Sequence, residues 1–465
     1  LTYQKGGALL RMLEQYLGAD EFRAGVSHYL RTHEYGNTET NDLWDAIETT
    51  SGEPVRAMMD SWIWQPGYPL VTAALDGSDL VLRQQRFDFG DAADGTDTDA
   101  AWLVPVLVRT EHEQARMLLD DRDGRLTLSD AHGPIVVNAG GHGFFRVAYD
   151  AELRSRLSGA TLAGLDTLER YNLVDDAWNE VVAGRLSAAD YLDFVEGFGA
   201  EVDLAVWQAI LVGLRGIGRL LDDTGLPAFR SRVRTLLAPA LGNLGDPVAG
   251  EDDLRAKLRG ALTGALAVLG DDSATIARSR ALYDHSVERP GSVDPELVSA
   301  ATSVTAATGD AAVYDRLLAG YRDAVTPQDQ LRHLMSLAEF DDEALVLRTC
   351  ELAMSGEVKT QNAPFLLAAC IANRNHGVAA WRFVRQHWPQ ANEAFPSNTI
   401  VRMVSTVRLL NTPEVAADVQ SFFAEHPIPQ AAKTLEQVLE RQRVNTALRV
   451  REQRRLAESL TARRR

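Results

Sequence analysis

The chain has 465 residues, 45% of them hydrophobic and 24% charged, and a net charge of −18. That length asks for about three domains rather than one, with cores large enough to stand in water. The acidic balance argues against a nucleic-acid partner, because phosphate affinity needs clustered cations. No run approaches the roughly 20 apolar residues of a membrane span. Only Cys350 and Cys370 are available as thiols, too few for a disulfide framework. They read as small buried hydrophobes in a reduced, cytoplasmic setting, able to meet if they lie on facing helices.

Residues 1–66 read as helices. Leu9, Leu10, Leu13, Tyr16 and Leu17 make one apolar stripe, with Gly18 as its stop. Asp20 is placed to cap a second helix bearing Phe22, Val26, Tyr29 and Leu30. Thr40 is placed to cap a third with Leu43, Trp44 and Ile47, closed by Gly52. Pro54 opens a fourth, with Val55, Met58, Met59 and Trp62 inward. Four such helices are too few to bury their own faces and should lean on a neighbour.

Over residues 67–150 the period changes to that of strands. Runs at 70–75, 80–87, 102–109, 116–119, 135–138 and 144–149 are separated by turns such as Asp76-Gly77 and Asp123-Gly124. Six or seven strands in about 85 residues predict a small β-sandwich. From 151 to 465 the pattern is helical. Punctuation such as Gly225, Gly270, Asp294-Pro295, Gly309-Asp310, Thr326-Pro327 and Asp341-Asp342 recurs roughly every 15–25 residues. Helix pairs stacked into an α-solenoid of HEAT-like type are expected there. The final stretch, 441–465, holds nine arginines against two glutamates, a local charge of +7 that leaves −25 on the rest. It reads as a solvated, dipole-compensating face, or as a contact for a peptide carboxylate or acidic partner.

The chemistry-bearing residues are few. Tyr3, in Tyr3-Gln4-Lys5-Gly6 ahead of an amphipathic run, is an O–H donor at a rigid position. The ten histidines include no pair at i, i+4. His112-Glu113 and His33-Glu34 are followed at the fourth place by Arg116 and Asn37, so neither is half of a zinc site. Asp88, Asp91, Asp94, Asp97 and Asp99 crowd one loop, but without the calcium-loop spacing or its twelfth-position glutamate. Trp44, Trp62, Trp64, Trp178, Trp207, Trp381 and Trp388 fall at helical spacing and read as core.

Tyr3-Gln4-Lys5-Gly6, Met12-Leu13-Glu14, Asp42-Leu43-Trp44, Trp62 to Pro69, Trp102 to Pro105, Phe144 to Asp150, Glu169-Arg170, Asp175-Asp176, Asn373 to Trp381 and Trp388 occur in this order. Together they resemble the C-terminal part of the zinc aminopeptidase N family (gluzincins). The resemblance implies three parts: 1–66, the last helices of a thermolysin-like catalytic domain; 67–150, a β-sandwich; and 151–465, the helical solenoid. It implies a zinc-dependent enzyme removing N-terminal residues from peptides, in which Tyr3 steadies the oxyanion. One such donor is typically worth ~2.7–4 kcal/mol. The family's His-Glu-x-x-His and its amine-binding Gly-x-Met-Glu-Asn are absent from the sequence. The zinc ligands are therefore expected on an N-terminal catalytic half outside this chain, and the chain alone should be inactive. The alternative is a non-catalytic α-solenoid module that binds peptides or proteins.

Overall fold

The computed structural model describes residues 2–90 and 100–462. The chain is mainly α-helical, with two small sheets and a C-terminal helical stack. It divides into two compact units. One runs to Leu186 and includes Asp193–Phe198; the other takes Ser187–Leu192 and the chain from Gly199 onward.

The first unit opens with α1 (Thr2–Leu17), α2 (Ala19–Thr32), α3 (Thr40–Ser51) and α4 (Val55–Ile63). On α1 the expected stripe is buried at Leu9, Leu13, Tyr16 and Leu17, joined by Met12. Two helix starts differ from expectation. The N-cap of α2 is Gly18, at φ 93°, and Asp20 lies inside the first turn, where a carboxylate faces the positive end of the helix dipole. The N-cap of α3 is Glu39, which forms a reciprocal capping box with Asp42, and Thr40 is already helical. Gly52 ends α3 in the left-handed conformation, φ 71°.

Helix α2 buries less than its stripe suggested. It meets α3 at Gly25, where a Cβ would stand 2.8 Å from Ile47 Cγ1. Leu30, five residues and about 140° around from Gly25, is exposed.

The strands are β1 (Pro69–Asp76), β2 (Asp79–Arg86), β3 (Val104–Arg109), β4 (Gln114–Leu119), β5 (Asp123–Thr127), β6 (Val136–Val137) and β7 (Arg146–Tyr149). One sheet has the order β5-β2-β1-β7, the other β4-β3-β6. β1 and β2 form a hairpin in register Asp76↔Asp79 around Gly77, and β7 joins β1 in parallel. Asp123-Gly124, expected as a turn, instead opens β5 and pairs with Arg83 and Leu82. Gly124 answers a packing demand there: a Cβ would come within 2.6 Å of Leu119 Cδ1 and 2.7 Å of Met117 Cε. Buried Gln84 ties the sheets together. Its amide donates to the carbonyls of Trp102 (2.7 Å), Asp121 (2.9 Å) and Leu119 (3.3 Å), and its oxygen accepts from the Trp102 N–H at 2.9 Å. Of the acidic loop, Asp91, Asp94, Asp97 and Asp99 lie outside the described residues, while Asp88 accepts from the Gly90 N–H at 2.6 Å.

The sheets supply the neighbour that the four helices need. The Phe144 N–H points to Met12 Sδ (3.3 Å), Arg116 donates to the Tyr16 carbonyl (2.8 Å), and the Trp62 indole donates to the Leu103 carbonyl (3.0 Å). Trp62 meets Trp102 and Phe144 with ring centroids 6.1 and 6.2 Å away. Trp64 departs from the core expected for it. It is 73% exposed, past the end of α4, with its indole donating to Asp60. The unit continues with α5 (Ala151–Arg156) and α6 (Thr167–Val182), and α7 (Ala188–Glu196) follows.

The second unit is a succession of helices: α8 (Leu204–Leu220), α9 (Leu226–Leu244), α10 (Asp253–Val268), α11 (Ser273–Glu288) and α12 (Pro295–Ala307). Next come α13 (Ala311–Asp323), α14 (Pro327–Ser336), α15 (Glu343–Met354), α16 (Ala363–Ala372) and α17 (Gly377–Gln386). The last are α18 (Trp388–Ala394), α19 (Ser397–Val404), α20 (Pro413–Glu425) and α21 (Ala432–Ala462). The punctuation read from sequence acts as caps. Asp294, Asp310, Thr326 and Asp342 each accept from backbone N–H groups of the turn they open. Cys350 on α15 and Cys370 on α16 are both buried, free and in contact, among Tyr314, Phe340 and Leu366. Trp207, Trp381 and Trp388 are buried as expected. Among the described residues no helix is long and apolar enough to cross a membrane.

Candidate functional site

Tyr3 lies in the first turn of α1 and is 96% exposed. Apart from the local helix backbone, no atom lies within 4 Å of where a Cβ would stand on Gly6 or Gly7. The other end is fixed. Arg116 bonds the Tyr16 carbonyl, stands 5.2 Å from the centre of the Tyr16 ring and pairs with Glu53 at 3.2 Å. Burial, helped by Glu53, pushes the Tyr16 phenol above its usual range. Midway, Arg11 pairs with Glu14 at 2.5 Å and reaches His142 Nε2 at 3.3 Å. Burial and then the Arg11 charge lower the His142 pKa. The phenol is thus carried on a helix anchored near Tyr16, and it makes no hydrogen bond to any described residue.

Zinc does not fit the residues at hand. Among the described residues no three of His, Cys, Asp and Glu come together as a metal site. His112 is exposed, with Nε2 3.5 Å from Asp130, and His33 lies 5.4 Å from the ring of Tyr29.

A buried ionic network that sequence reasoning did not assemble joins β7 to α6. Arg146 bonds Asp175 (2.6 Å) and Asp176 (2.8 Å), and the Val147 N–H donates to Asp176 (3.0 Å). Glu169 takes Arg109 together with the N–H groups of Gly140 (2.9 Å) and Asp166 (2.8 Å). Arg154 pairs with Glu180 at 3.2 Å. Burial pushes Asp176 up to about 7 despite Arg146, and Glu180 up to about 7 despite Arg154. Each carboxylate of this network holds at least one arginine, which makes it a joint rather than a site of reaction.

The second unit holds two cavities of note. One, of about 600 Å³, is lined by Arg219 on α8, Arg230 on α9, Arg374 after α16 and Arg449 on α21, with Asp223 and Asp341. A neighbouring concavity of about 1050 Å³ shares Arg219, Arg230 and Arg374 and adds Arg215 and Glu339. Three of the arginines are held by neutral acceptors. Arg219 donates to the Ala372 carbonyl, and Arg374 to those of Gly218 (3.0 Å) and Leu221 (3.4 Å). Arg449 donates to the Arg219 carbonyl (2.6 Å) and Asn411 Oδ1 (3.2 Å). Arg230 has a carboxylate at ion-pair distance, Asp271 at 2.9 Å, and its Nε is buried without a partner. Asp341 and Asp223 act on Arg374, and Asp222 on Arg449, from farther off. Burial, then the Arg374 charge, brings Arg219 down to about 10, and Arg374 and Arg449 are lowered chiefly by burial too. No spacing along the sequence pointed to this set, which gathers residues from positions 219 to 449.

Comparison with known proteins defines the class. Residues 134–444 match the ERAP1-like C-terminal domain, and residues 1–62 match the peptidase family M1 domain. The chain is 31% identical to Aminopeptidase M1-B of Oryza sativa subsp. japonica over 96% of its own length and 53% of that protein. To Aminopeptidase M1 of Arabidopsis thaliana it is 30% identical, with the same coverage of each. The Tricorn protease-interacting factor F2 of Thermoplasma acidophilum is 35% identical over 59% of this chain and 34% of that one. The chain belongs to the aminopeptidase N (peptidase M1) family, in the region of its C-terminal domain. It spans about half the length of the plant relatives it matches.

Proposed function

We propose that this chain is the C-terminal portion of a zinc-dependent aminopeptidase that removes N-terminal residues from peptides, with Tyr3 as the oxyanion donor. The observation that carries this reading is the place of Tyr3 in the first turn of α1, inside the segment matched to the M1 domain. An O–H donor in that position acts on the charge that develops on the substrate oxygen. Alone, the chain does not hydrolyse peptides, because the metal and the general base belong to the N-terminal catalytic half. Boundaries near residues 66 and 150 are supported by the confinement of the described strands to Pro69–Tyr149. Free, buried Cys350 and Cys370 support a reduced, cytoplasmic setting.

The test is turnover by the full-length enzyme, and it starts from an in-frame His-Glu-x-x-His upstream of Leu1. Tyr3→Phe should lower kcat roughly 10²–10³-fold with KM nearly unchanged, because the substrate carbonyl in the ground state does not use the bond. Near-normal turnover at full zinc content would remove Tyr3 from the mechanism. A second reading, a non-catalytic module binding peptides or proteins, is favoured by the concavity of about 1050 Å³. A stop codon upstream of Leu1 would select it.

A further inference from the structure

We propose that the arginine-lined cavity of the second unit is a binding site for a compact polyanion of the phosphate class, such as a pyrophosphate or a small phosphorylated metabolite. The inference does not depend on the peptidase reading.

It rests first on charge. Four guanidiniums and two carboxylates, Asp223 and Asp341, line the cavity, so the wall is net positive within a chain of net charge −18. Asp341 accepts from Asn375 Nδ2 at 2.6 Å and lies 3.1 Å from His376 Nε2. Both lining carboxylates count as negative charges, so the four guanidiniums outnumber them by two. Arg230 is offset by Asp271, while Arg219, Arg374 and Arg449 have neutral hydrogen-bond partners. Asp341 and Asp223 act on Arg374, and Asp222 on Arg449, from beyond ion-pair distance.

The second ground is geometry. Backbone carbonyls and one asparagine fix these three side chains without neutralising them. Each guanidinium carries five N–H donors, and these contacts use only part of that set. Planar forks held in advance suit phosphate oxygens, which accept two parallel bonds from one arginine. Holding like charges together in a partly buried wall costs free energy, and a bound anion removes that cost. Burial lowers the Arg219 and Arg374 pKa values first, and the neighbouring guanidiniums add to it.

Size is the third. About 600 Å³ lies within the range of small-ligand pockets and exceeds what a single monovalent ion would fill. A cleft lined by one sign of charge also concentrates its counter-ion by focusing the field.

The experiment titrates the full chain with inorganic pyrophosphate at low ionic strength. Arginines left reactive to phenylglyoxal are mapped by mass spectrometry with and without the ligand. One site per chain, affinity falling at least several-fold between 50 and 200 mM salt, and protection of Arg219, Arg374 and Arg449 are expected. The double variant Arg374→Gln/Arg449→Gln should bind at least tenfold more weakly while keeping its helical circular dichroism. Should that variant misfold, the protection map on the unaltered chain decides the matter. No saturable binding at millimolar pyrophosphate, or protection confined to exposed arginines of α21 such as Arg454, would overturn the proposal. A peptide that binds through its free C-terminal carboxylate, lost on amidation, would overturn it too if pyrophosphate does not displace it.

Discussion

Both units half-bury arginines, and those at the strand–helix joint of the first keep different company from those lining the cavity of the second, although Arg259 of the second unit is paired with Glu251. In the first, Arg146, Arg109 and Arg154 each face a carboxylate. Burial alone would loosen the Arg146 proton, yet Asp176 and Asp175 outweigh it and hold the guanidinium above its ordinary range. In the second, Arg219, Arg374 and Arg449 face carbonyls, and their pKa values fall. The same residue type at similar depth therefore serves two ends. Paired with carboxylates it closes a joint between strand and helix; paired with carbonyls it is held in place with its charge unspent.

The largest effect expected from this contrast is on the first unit. Arg146→Met would leave Asp175 and Asp176 partly buried without their counter-charge, a loss of about 3–5 kcal/mol. Calorimetry at pH 8 should show the unfolding transition that includes β7 lowered by roughly 10 °C. A shift below about 2 °C would mean that the joint does not need the charge.

A smaller effect comes with pH. Folding raises the Asp176 and Glu180 carboxyls to about 7, so the native state holds protons that the unfolded chain has released. Their contribution is complete below about pH 4 and is lost as pH rises through 7. Stability at pH 8 should accordingly fall below that at pH 5.5 by several degrees in melting temperature. Asp176→Asn should flatten that dependence, and an unchanged slope would rule the network out as its source.

Smallest of all should be Arg219→Gln in the second unit. It removes one carbonyl contact but also relieves repulsion from Arg374, for a net change of at most about 1.5 kcal/mol. A loss as large as that of Arg146→Met would show that the tie to Ala372, rather than the free charge, is what the fold requires.

The helices were legible because their signals are local. The stripe of α1 and the caps at Asp294, Asp310, Thr326 and Asp342 each occupy a few adjacent residues. Errors arose where a distant partner decided the outcome. Asp123-Gly124 has the composition of a turn, yet Gly124 was selected by Leu119 and Met117 across the strands. Trp64 shares the spacing of a core residue but falls one residue past the end of α4. Tyr3 stood out through a motif carried by consecutive residues. The arginine cavity could not, since its members lie as far as 230 residues apart and only the fold brings them together. Of the basic final stretch, read as a solvated face, Arg449 turns inward to the cavity, and buried Glu452 accepts from the Ala188 N–H at 2.9 Å.

Gln84 makes the sandwich observable through a single proton. The Trp102 N–H is buried and donates to Gln84 Oε1, while the amide nitrogen of the same side chain holds the Trp102, Leu119 and Asp121 carbonyls. Solvent cannot reach that N–H while the glutamine stays seated, and unseating it undoes all four bonds. Deuterium uptake at the Trp102 amide should therefore report the concerted parting of both sheets rather than fraying of either one.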